Sequence, residues 1–261
     1  MAFRPLTARA PAVLLREAKP LKAILGHAQR LGHLQRLLES QLQPAAREHC
    51  HVASWREGSL LLIVTDGQLV KLGLLDSLFT ALDAHQMSYH LFDEVFPNPT
   101  EALVQKGFAA YQDAECDYVI AFGGGSAMDC AKVAAARAVK PNQSVRAMRG
   151  QLKVHKKLPP LFAVPTTAGT GSETTVAAVV TDPETHEKNA VNDTCLRPKY
   201  AVLDPELTVG LPPHITSTTG MDALTHAVEA YIGKSNTKET IAEAEEAVKL
   251  IFANLEKAYT D

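Results

Sequence analysis

The chain has 261 residues, of which 46% are hydrophobic and 21% are charged, so we expect a packed globule of one large domain or two small ones. No apolar run is long enough to span a membrane, and no apolar signal core follows the first residues, so we expect neither a membrane partner nor secretion. The four cysteines form no C-x-x-C pair, which argues against a disulfide framework and favours the cytoplasm.

The net charge of −3 is unevenly distributed along the chain. Residues 1–60 hold nine Lys or Arg and four acids, a charge of +5, so the remaining residues carry −8. Such a change of sign indicates two origins or two binding partners, and a solvated basic face explains it equally well. Within this basic part, the apolar spacing predicts a helix over 20–42, and residues 50–56 read as a strand.

From residue 60 onward, short apolar runs alternate with amphipathic segments. The predicted strands are 60–64, 88–92, 118–122 and 161–164, and the predicted helices are 69–85, 100–114 and 126–139. This alternation predicts an α/β fold in which helices cover both faces of a parallel sheet. A turn at Asp182-Pro183-Glu184 joins strands 176–181 and 189–192 into a hairpin, and 200–203 is a further strand.

The last part of the chain is predicted to be helical. After Pro212-Pro213, residues 214–232 form one helix, and Ser235 or Asn236 caps a second. The second helix carries an apolar stripe made of Ile241, Ala244, Val248, Ile251 and Leu255. Such a stripe needs a partner and nothing follows to cover it, so we expect the chain to stop early, within an all-helical domain.

A glycine-rich turn is the strongest local signal. Residues 118–129 read Tyr-Val-Ile-Ala-Phe-Gly-Gly-Gly-Ser-Ala-Met-Asp, a strand that runs into Gly123, Gly124 and Gly125 and then into a helix at Ser126. Glycines let the backbone approach a ligand, and a helix N-terminus attracts a diphosphate. The spacing is not G-x-G-x-x-G, and a tight strand–helix turn without a ligand would look similar.

A second polar loop follows the strand at 161–164. Residues 165–173 read Pro-Thr-Thr-Ala-Gly-Thr-Gly-Ser-Glu, so hydroxyls and backbone donors stand close together. An ordinary polar loop is the plain alternative. Because both loops follow strands of a parallel sheet, we expect a shared ligand at the carboxyl ends of the strands.

A carboxylate and an imidazole share one face of the predicted helix 214–232. Asp222 and His226 are four residues apart, which suits a divalent transition metal such as Fe²⁺ or Zn²⁺. An Asp–His hydrogen bond without a metal is an equal alternative. Two ligands do not make a tight site, so further ligands must come from elsewhere.

Six ordered motifs together resemble the iron-containing (group III) alcohol dehydrogenase family over residues 61–261. They are Val64-Thr65-Asp66, the Leu69 to Gly73 segment, Pro97-Asn98-Pro99-Thr100, Gly123 to Ser126, Pro165 to Ser172, and Gly220 to His226. The resemblance implies a dinucleotide-binding α/β domain over 59–205 and a truncated helical metal-binding domain over 206–261. Residues 1–58 then form a separate segment.

The resemblance also implies a reaction and its site residues. The reaction is hydride transfer between an alcohol or aldehyde and NAD, with Fe²⁺ or Zn²⁺ held by Asp222 and His226, which would act catalytically through that metal. Asp66 would contact the adenosine ribose and repel a 2′-phosphate, which favours NAD over NADP. The expected cofactor-binding residues are Asp66, Asn98, Gly123, Gly124, Gly125, Ser126, Asp129, Thr166, Thr167, Thr170 and Lys188. Family members often form homodimers through the N-terminal sheet edge.

Two departures from the family pattern stand out. The family supplies two more histidines downstream of the first pair, so a chain that ends at Asp261 is expected to show little or no catalysis. The family's N-terminal strand unit is also missing. In its place, four short segments of residues 1 to about 64 resemble the DciA-like replicative helicase loaders: 31–38, 42–44, 49–53 and 56–62. An alternative function is therefore a DNA- or helicase-binding adaptor that uses the basic residues 1–60. We expect an artefactual or recent fusion rather than an evolved bifunctional protein.

Overall fold

The structure is a computed structural model, and it describes residues 59–260. The helix predicted over 20–42, the strand predicted over 50–56 and almost all of the DciA-like segment lie outside the described residues.

The described residues alternate strands and helices before they become helical. The strands are β1 (Leu60–Val64), β2 (Ser88–Phe92), β3 (Tyr118–Gly123), β4 (Gly150–Gln151), β5 (Leu161–Pro165), β6 (Ala177–Thr181), β7 (Lys188–Asn192) and β8 (Tyr200–Ala201). The helices are α1 (Gly67–Lys71), α2 (Asp76–Ala84), α3 (Glu101–Asp113), α4 (Gly125–Val139), α5 (Val145–Met148), α6 (Glu206–Val209), α7 (Pro213–Ile232) and α8 (Lys238–Thr260). A short 3₁₀ helix spans Thr194–Leu196.

Five strands form one parallel sheet in the order β2-β1-β3-β5-β8. Every residue of β3 and β5 is buried, as expected for strands with helices on both sides. Successive side chains alternate between two hydrophobic clusters: Leu62 packs in the cluster of α3 and α4, while Leu61 and Ile63 pack in that of α2. The predicted α/β fold is confirmed.

A second, three-stranded sheet has the order β4-β7-β6. β6 and β7 are antiparallel, which confirms the predicted hairpin. β4 is only two residues long and was not predicted. Asp182, at the hairpin turn, accepts hydrogen bonds from Arg146 (3.0 Å) and Arg149 (2.8 Å), and Arg149 also pairs with Glu101 on α3. This ion cluster fixes the hairpin against α3 and α5.

The prediction of one helix over 69–85 was wrong. The chain forms α1 and α2 instead, because Gly73 adopts a left-handed conformation with φ of 72° between them. The predicted strand 200–203 is also shorter, since only Tyr200 and Ala201 pair with β5.

The helical pair at the end of the chain covers its own apolar stripe. The stripe of α8 faces α7, and Ala244 is buried there. At Gly220 of α7 a Cβ atom would clash with Leu255 Cδ1, so the two helices are in close contact. The preceding helix folds back on the stripe, a partner that the sequence analysis did not consider, and four of the five stripe residues stay partly exposed. Within residues 59–260, no helix has the length and apolarity needed to cross a membrane.

The cap of α8 is also not the predicted one. Thr237, rather than Ser235 or Asn236, accepts a hydrogen bond from the N–H of Thr240 on its hydroxyl at 3.2 Å. Threonine caps a helix by the same mechanism as serine or asparagine, so the chemistry was predicted correctly and the position was not.

The ion cluster around Asp182 predicts a pH-dependent stability. Hydrogen bonds from Arg149, then from the N–H of Glu184, hold the pKa of Asp182 well below its usual range. The stability that ionised Asp182 gives to the folded chain is therefore fully present above the unfolded pKa of about 4. It is lost as the pH falls toward the lower pKa of the folded state. Asp182→Asn should lower the melting temperature near neutral pH, with a difference from wild type that shrinks below a pH of about 4.

The exposed pair Lys106–Glu94 provides a matched control for that experiment. Glu94→Gln should change the melting temperature little at any pH, because exposed ion pairs contribute little. An Asp182→Asn effect that is equally large at pH 3 and pH 7 would contradict the assignment.

Candidate active site

Polar residues gather where β1, β3 and β5 end. Asp66 follows β1, the glycine turn ends β3, and Thr166 and Thr167 follow β5. These three strands are parallel neighbours, so their carboxyl ends lie at one edge of the sheet. The structure therefore brings the two predicted loops together, at the edge where ligands bind in open α/β sheets.

The glycine turn has room for nothing larger than hydrogen at its first residue. Gly123 has φ of 148°, and a Cβ atom there would lie 2.8 Å from Ala127 Cβ. Gly124 is the N-cap residue of α4, and it has no side chain that could accept a hydrogen bond from the first N–H groups of the helix. The first N–H groups of a helix have no partner inside it, so this end of α4 offers donors and positive potential to an anion.

The loop that follows β5, residues 166–172, packs against the glycine turn, and we call it the threonine loop. A Cβ on Gly125 would lie 2.9 Å from Thr170 Cγ2, and one on Gly124 would lie 3.3 Å from Thr167 Oγ1. Thr166 N–H donates to the carbonyl of Gly123 at 3.0 Å. The glycine turn and residues 166–172 thus form one cradle, which we call the glycine–threonine cradle.

One hydroxyl in this cradle lacks a partner. Thr167 Oγ1 is buried, and within residues 59–260 it makes no hydrogen bond. A buried hydroxyl without a partner is destabilising, so its presence beside free helix N–H groups calls for a polar ligand. The cradle therefore fits a phosphate-bearing cofactor.

Asn98 contacts the start of α4, and Lys188 lies on a strand pair that contacts the neighbouring segment. Asn98 has a left-handed backbone with φ of 57°, and its N–H donates to Ser126 Oγ at 3.3 Å. Lys188 is an exposed residue that begins β7 and pairs with Thr181. Thr181 N–H donates to the carbonyl of Pro99 at 2.8 Å, which places the strand end of Lys188 next to the segment that carries Asn98.

Asp66 stands at the end of β1 as the cap of α1. Its Oδ1 accepts a hydrogen bond from Gln68 N–H at 2.6 Å, and the residue is partly exposed. The cap fixes the carboxylate at the sheet edge beside the cradle.

A buried ion network lies behind the cradle, and the sequence analysis missed most of it. Lys132, fully buried on α4, donates to Ser172 Oγ at 3.0 Å, and Ser172 Oγ donates to Asp129 Oδ1 at 2.8 Å. Asp129 Oδ2 accepts from Val179 N–H at 2.9 Å. The available signal was a lysine within the run Cys-Ala-Lys-Val-Ala-Ala-Ala, where a lone charge on a buried helix must be paired.

Burial shifts the pKa of both charged groups in this network. It raises the pKa of Asp129, against the opposing effects of Val179 N–H, the Ser172 hydroxyl and the Lys132 charge. It lowers the pKa of Lys132 to about 8, against the attraction of Asp129 and Glu173. The network therefore carries groups that titrate closer to neutrality than exposed ones do.

The two predicted metal ligands do share a face of α7. His226 Nε2 lies 3.8 Å from Asp222 Oδ1, and the side chains are 53% and 43% exposed. Among residues 59–260, no group of three or more His, Cys, Asp or Glu is placed to hold a metal ion. The carboxylate–imidazole pair fits Fe²⁺ or Zn²⁺ by donor type and supplies two ligands.

The cradle and the helix that carries this pair are in direct contact. A Cβ atom on Gly169 would lie 2.5 Å from the carbonyl oxygen of Thr219, three residues before Asp222. Residue 169 must therefore be glycine for the threonine loop to touch α7. The fold is thus the α/β architecture typical of nucleotide-binding domains, and the loop at its sheet edge contacts the helix that carries the two predicted metal ligands.

Comparison with known proteins identifies the family. Residues 43–205 match the family model of the iron-containing alcohol dehydrogenases, and residues 216–261 match the model of the C-terminal region of the Fe-containing alcohol dehydrogenase family. The chain belongs to the iron-containing alcohol dehydrogenase family. The first model begins at residue 43, so the family sequence starts upstream of the boundary near 61 that the motifs indicated.

Individual relatives agree with this assignment. Alcohol dehydrogenase 4 of Schizosaccharomyces pombe is 42% identical over 197 residues, which cover 76% of this chain and 46% of the relative. A crystal structure of 1,3-propanediol oxidoreductase is 39% identical with a TM-score of 0.74, covering 77% of this chain and 52% of that one. Sulfoacetaldehyde reductase from Bifidobacterium kashiwanohense, solved in complex with NAD⁺, is 29% identical with a TM-score of 0.73, covering 90% and 58%. The chain thus spans about half the length of the relatives it matches.

The contact at Gly169 predicts a large effect of one methyl group. Gly169→Ala should destabilise the chain by about 1–3 kcal/mol, because the added carbon meets a backbone carbonyl that cannot rotate away. Thermal unfolding measures the effect. Gly210→Ala is the matched control, since no atom lies within 4 Å of a Cβ there, and it should stay within about 0.5 kcal/mol of wild type. Equal stability of the two variants would show that the loop and α7 are not in contact.

Proposed function

We propose that this chain forms the cofactor site and part of the metal site of an NAD-dependent alcohol dehydrogenase. The reaction is hydride transfer between an alcohol or aldehyde and the nicotinamide cofactor. The observation that carries the proposal is the glycine–threonine cradle, in which the N-terminus of α4 has no side-chain cap and the Thr167 hydroxyl, without a hydrogen-bond partner among residues 59–260, lies against Gly124. The family membership supports the reaction class.

Different residues of the cradle would bind different parts of the cofactor. Gly124, Gly125 and Ser126 would hold the diphosphate at the helix N-terminus, where the anion replaces the missing N–H partners. The remaining residues that we assign to the cofactor site are Gly123, Asn98, Asp129, Thr166, Thr167, Thr170 and Lys188. The solved complex of sulfoacetaldehyde reductase with NAD⁺ supports this choice of cofactor.

Asp66 would set the preference for NAD. A carboxylate at the end of β1 accepts hydrogen bonds from the ribose hydroxyls and repels the 2′-phosphate of NADP. Its Oδ1 is already oriented by Gln68 N–H, so the carboxylate does not have to be ordered on binding.

Asp222 and His226 would hold the metal ion, Fe²⁺ or Zn²⁺. Such an ion acts as a Lewis acid, which lowers the pKa of a bound alcohol or polarises the carbonyl of an aldehyde. The 3.8 Å between the two side chains lets both face one ion from the same side of α7. The contact of Gly169 with Thr219 would keep this helix in register with the cradle, so the residues of the chain fix the distance between the two centres.

The remaining assignments follow the same family. We place the boundary between the α/β domain and the helical domain near residue 205, and the gap between the two family models at 205–216 supports it. The homodimer and the cytoplasmic location stay predictions. The DciA-like resemblance of residues 1–64 falls mainly outside the described residues. Because no comparison supports a DNA- or helicase-binding role, we do not propose one.

Cofactor titration of an Asp66 variant tests the proposal. Asp66→Ser keeps a side-chain oxygen to cap α1 and removes the negative charge, so the fold should be retained. We expect wild type to bind NADH more tightly than NADPH, and the variant to reduce that preference by about tenfold because the repulsion of the 2′-phosphate is lost. Fluorescence titration with both cofactors gives the two dissociation constants.

Asp113→Ser, an exposed aspartate at the end of α3, serves as the matched control and should leave the preference unchanged. Failure of the wild-type chain to bind either dinucleotide would refute the proposed function. Binding with an unchanged preference in Asp66→Ser would refute only the role of Asp66.

A further inference from the structure

Lys132 is a charged residue inside the protein. It lies on α4, three residues after Asp129, and none of its surface is exposed. Its neighbours along the helix are alanine, valine and cysteine, which all pack as apolar residues. An ammonium group in such a place is unfavourable unless it is fully hydrogen-bonded.

The ammonium group of Lys132 is fully hydrogen-bonded, and all of its partners belong to one segment. Nζ donates to Ser172 Oγ at 3.0 Å, to Thr175 Oγ1 at 2.9 Å, to the Thr175 carbonyl at 3.2 Å and to the Ala177 carbonyl at 2.9 Å. These four oxygens exceed the three protons of an ammonium group, so the contacts leave it no unused donor. The cation therefore holds residues 172–177 to α4.

Residues 172–177 are the continuation of the threonine loop. The first part of the loop lies against the glycine turn through Thr167 and Thr170, and the second part ends in β6. The loop is thus fixed at its start by β5 and at its end by Lys132. Ser172 links Lys132 to Asp129, because its hydroxyl accepts a hydrogen bond from Lys132 and donates one to Asp129.

We propose that Lys132 is the positioning residue of the cofactor site, whose ammonium group holds the threonine loop and, through Ser172, the Asp129 carboxylate in place over the glycine turn. The identity of the ligand rests on the function proposed above, whereas the anchoring of the loop is a property of this chain alone. Lys132 contacts the cradle at its last residue, Ser172, through the 3.0 Å hydrogen bond to Oγ. It acts through Ser172 and Thr175.

Two acids face the Lys132 ammonium, Asp129 from its own helix and Glu173 from the loop. Both favour the charged form, and burial disfavours it more strongly, which lowers the pKa of Lys132 to about 8. As the pH rises through that value the group loses a proton and with it one of its three donors. The loop should therefore loosen in mildly alkaline solution, which a purely space-filling side chain would not cause.

Hydrogen exchange of the 261-residue chain tests the anchor without any ligand. Lys132→Met keeps the length of the side chain and removes its donors. Amides of residues 170–177 should exchange about tenfold faster or more in this variant, while those of β1 and β2 stay as in wild type. Lys140→Met, a change of the same kind at the C-terminal end of the same helix, is the matched control and should leave residues 170–177 protected.

Titration with NADH tests the consequence for binding. At pH 7 the dissociation constant should rise about tenfold or more in Lys132→Met, because a charge-assisted anchor is lost. In wild type the affinity should fall as the pH rises through about 8, and in the variant it should not follow that profile. Unchanged protection of residues 170–177, or wild-type NADH affinity with the wild-type pH profile, in Lys132→Met would overturn the proposal.

A second variant covers the case in which Lys132→Met fails to fold. Thr175→Val removes one hydroxyl acceptor and leaves the ammonium group, so residues 170–177 should show a smaller but measurable loss of protection. No loss in Thr175→Val would then count against the anchor. If wild type does not bind NADH at all, the proposed function fails, and the exchange comparison still decides whether Lys132 holds the loop.

Discussion

The candidate site depends on the close contact between the glycine turn that ends β3 and the threonine loop that follows β5. At Gly124 and Gly125 the space of a side chain is taken by Thr167 and Thr170, so the two loops meet backbone to side chain. The N-terminus of α4 at this contact has no side-chain cap. Because β3 and β5 are parallel neighbours, the loops that follow them meet at one edge of the sheet. The glycines then allow an approach close enough to surround an anion.

The threonine loop and the residues that follow it also contact two other parts of the molecule. On one side Gly169 touches the backbone of α7, the helix of Asp222 and His226. On the other side Ser172 and Thr175 are held by the buried Lys132. A single segment of about a dozen residues therefore contacts the glycine turn, the helix of Asp222 and His226 and the core of the α/β domain, so a small shift of this segment should change the geometry at all three.

The sequence was sufficient for features that depend on local pattern. The apolar runs of β1, β3 and β5 were predicted within one or two residues, because burial on both faces leaves little choice of residue. The edge strand β2 and the glycine turn were also predicted at their observed positions. The break at Gly73 was missed, since the apolar period continues across it. Lys132 was missed for another reason: its burial is decided by four oxygens some 40 residues away, and no local pattern reports them.

Hydrogen exchange of the chain with and without NADH tests the central claim most directly. The account predicts slower exchange on binding at residues 122–128 and 165–172, the two halves of the cradle, and at the end of β1 beside Asp66. Exchange at the strand ends on the opposite edge of the sheet should be unaffected. Binding that protects neither half of the cradle, or no binding at all, would contradict the assignment of this edge as the cofactor site.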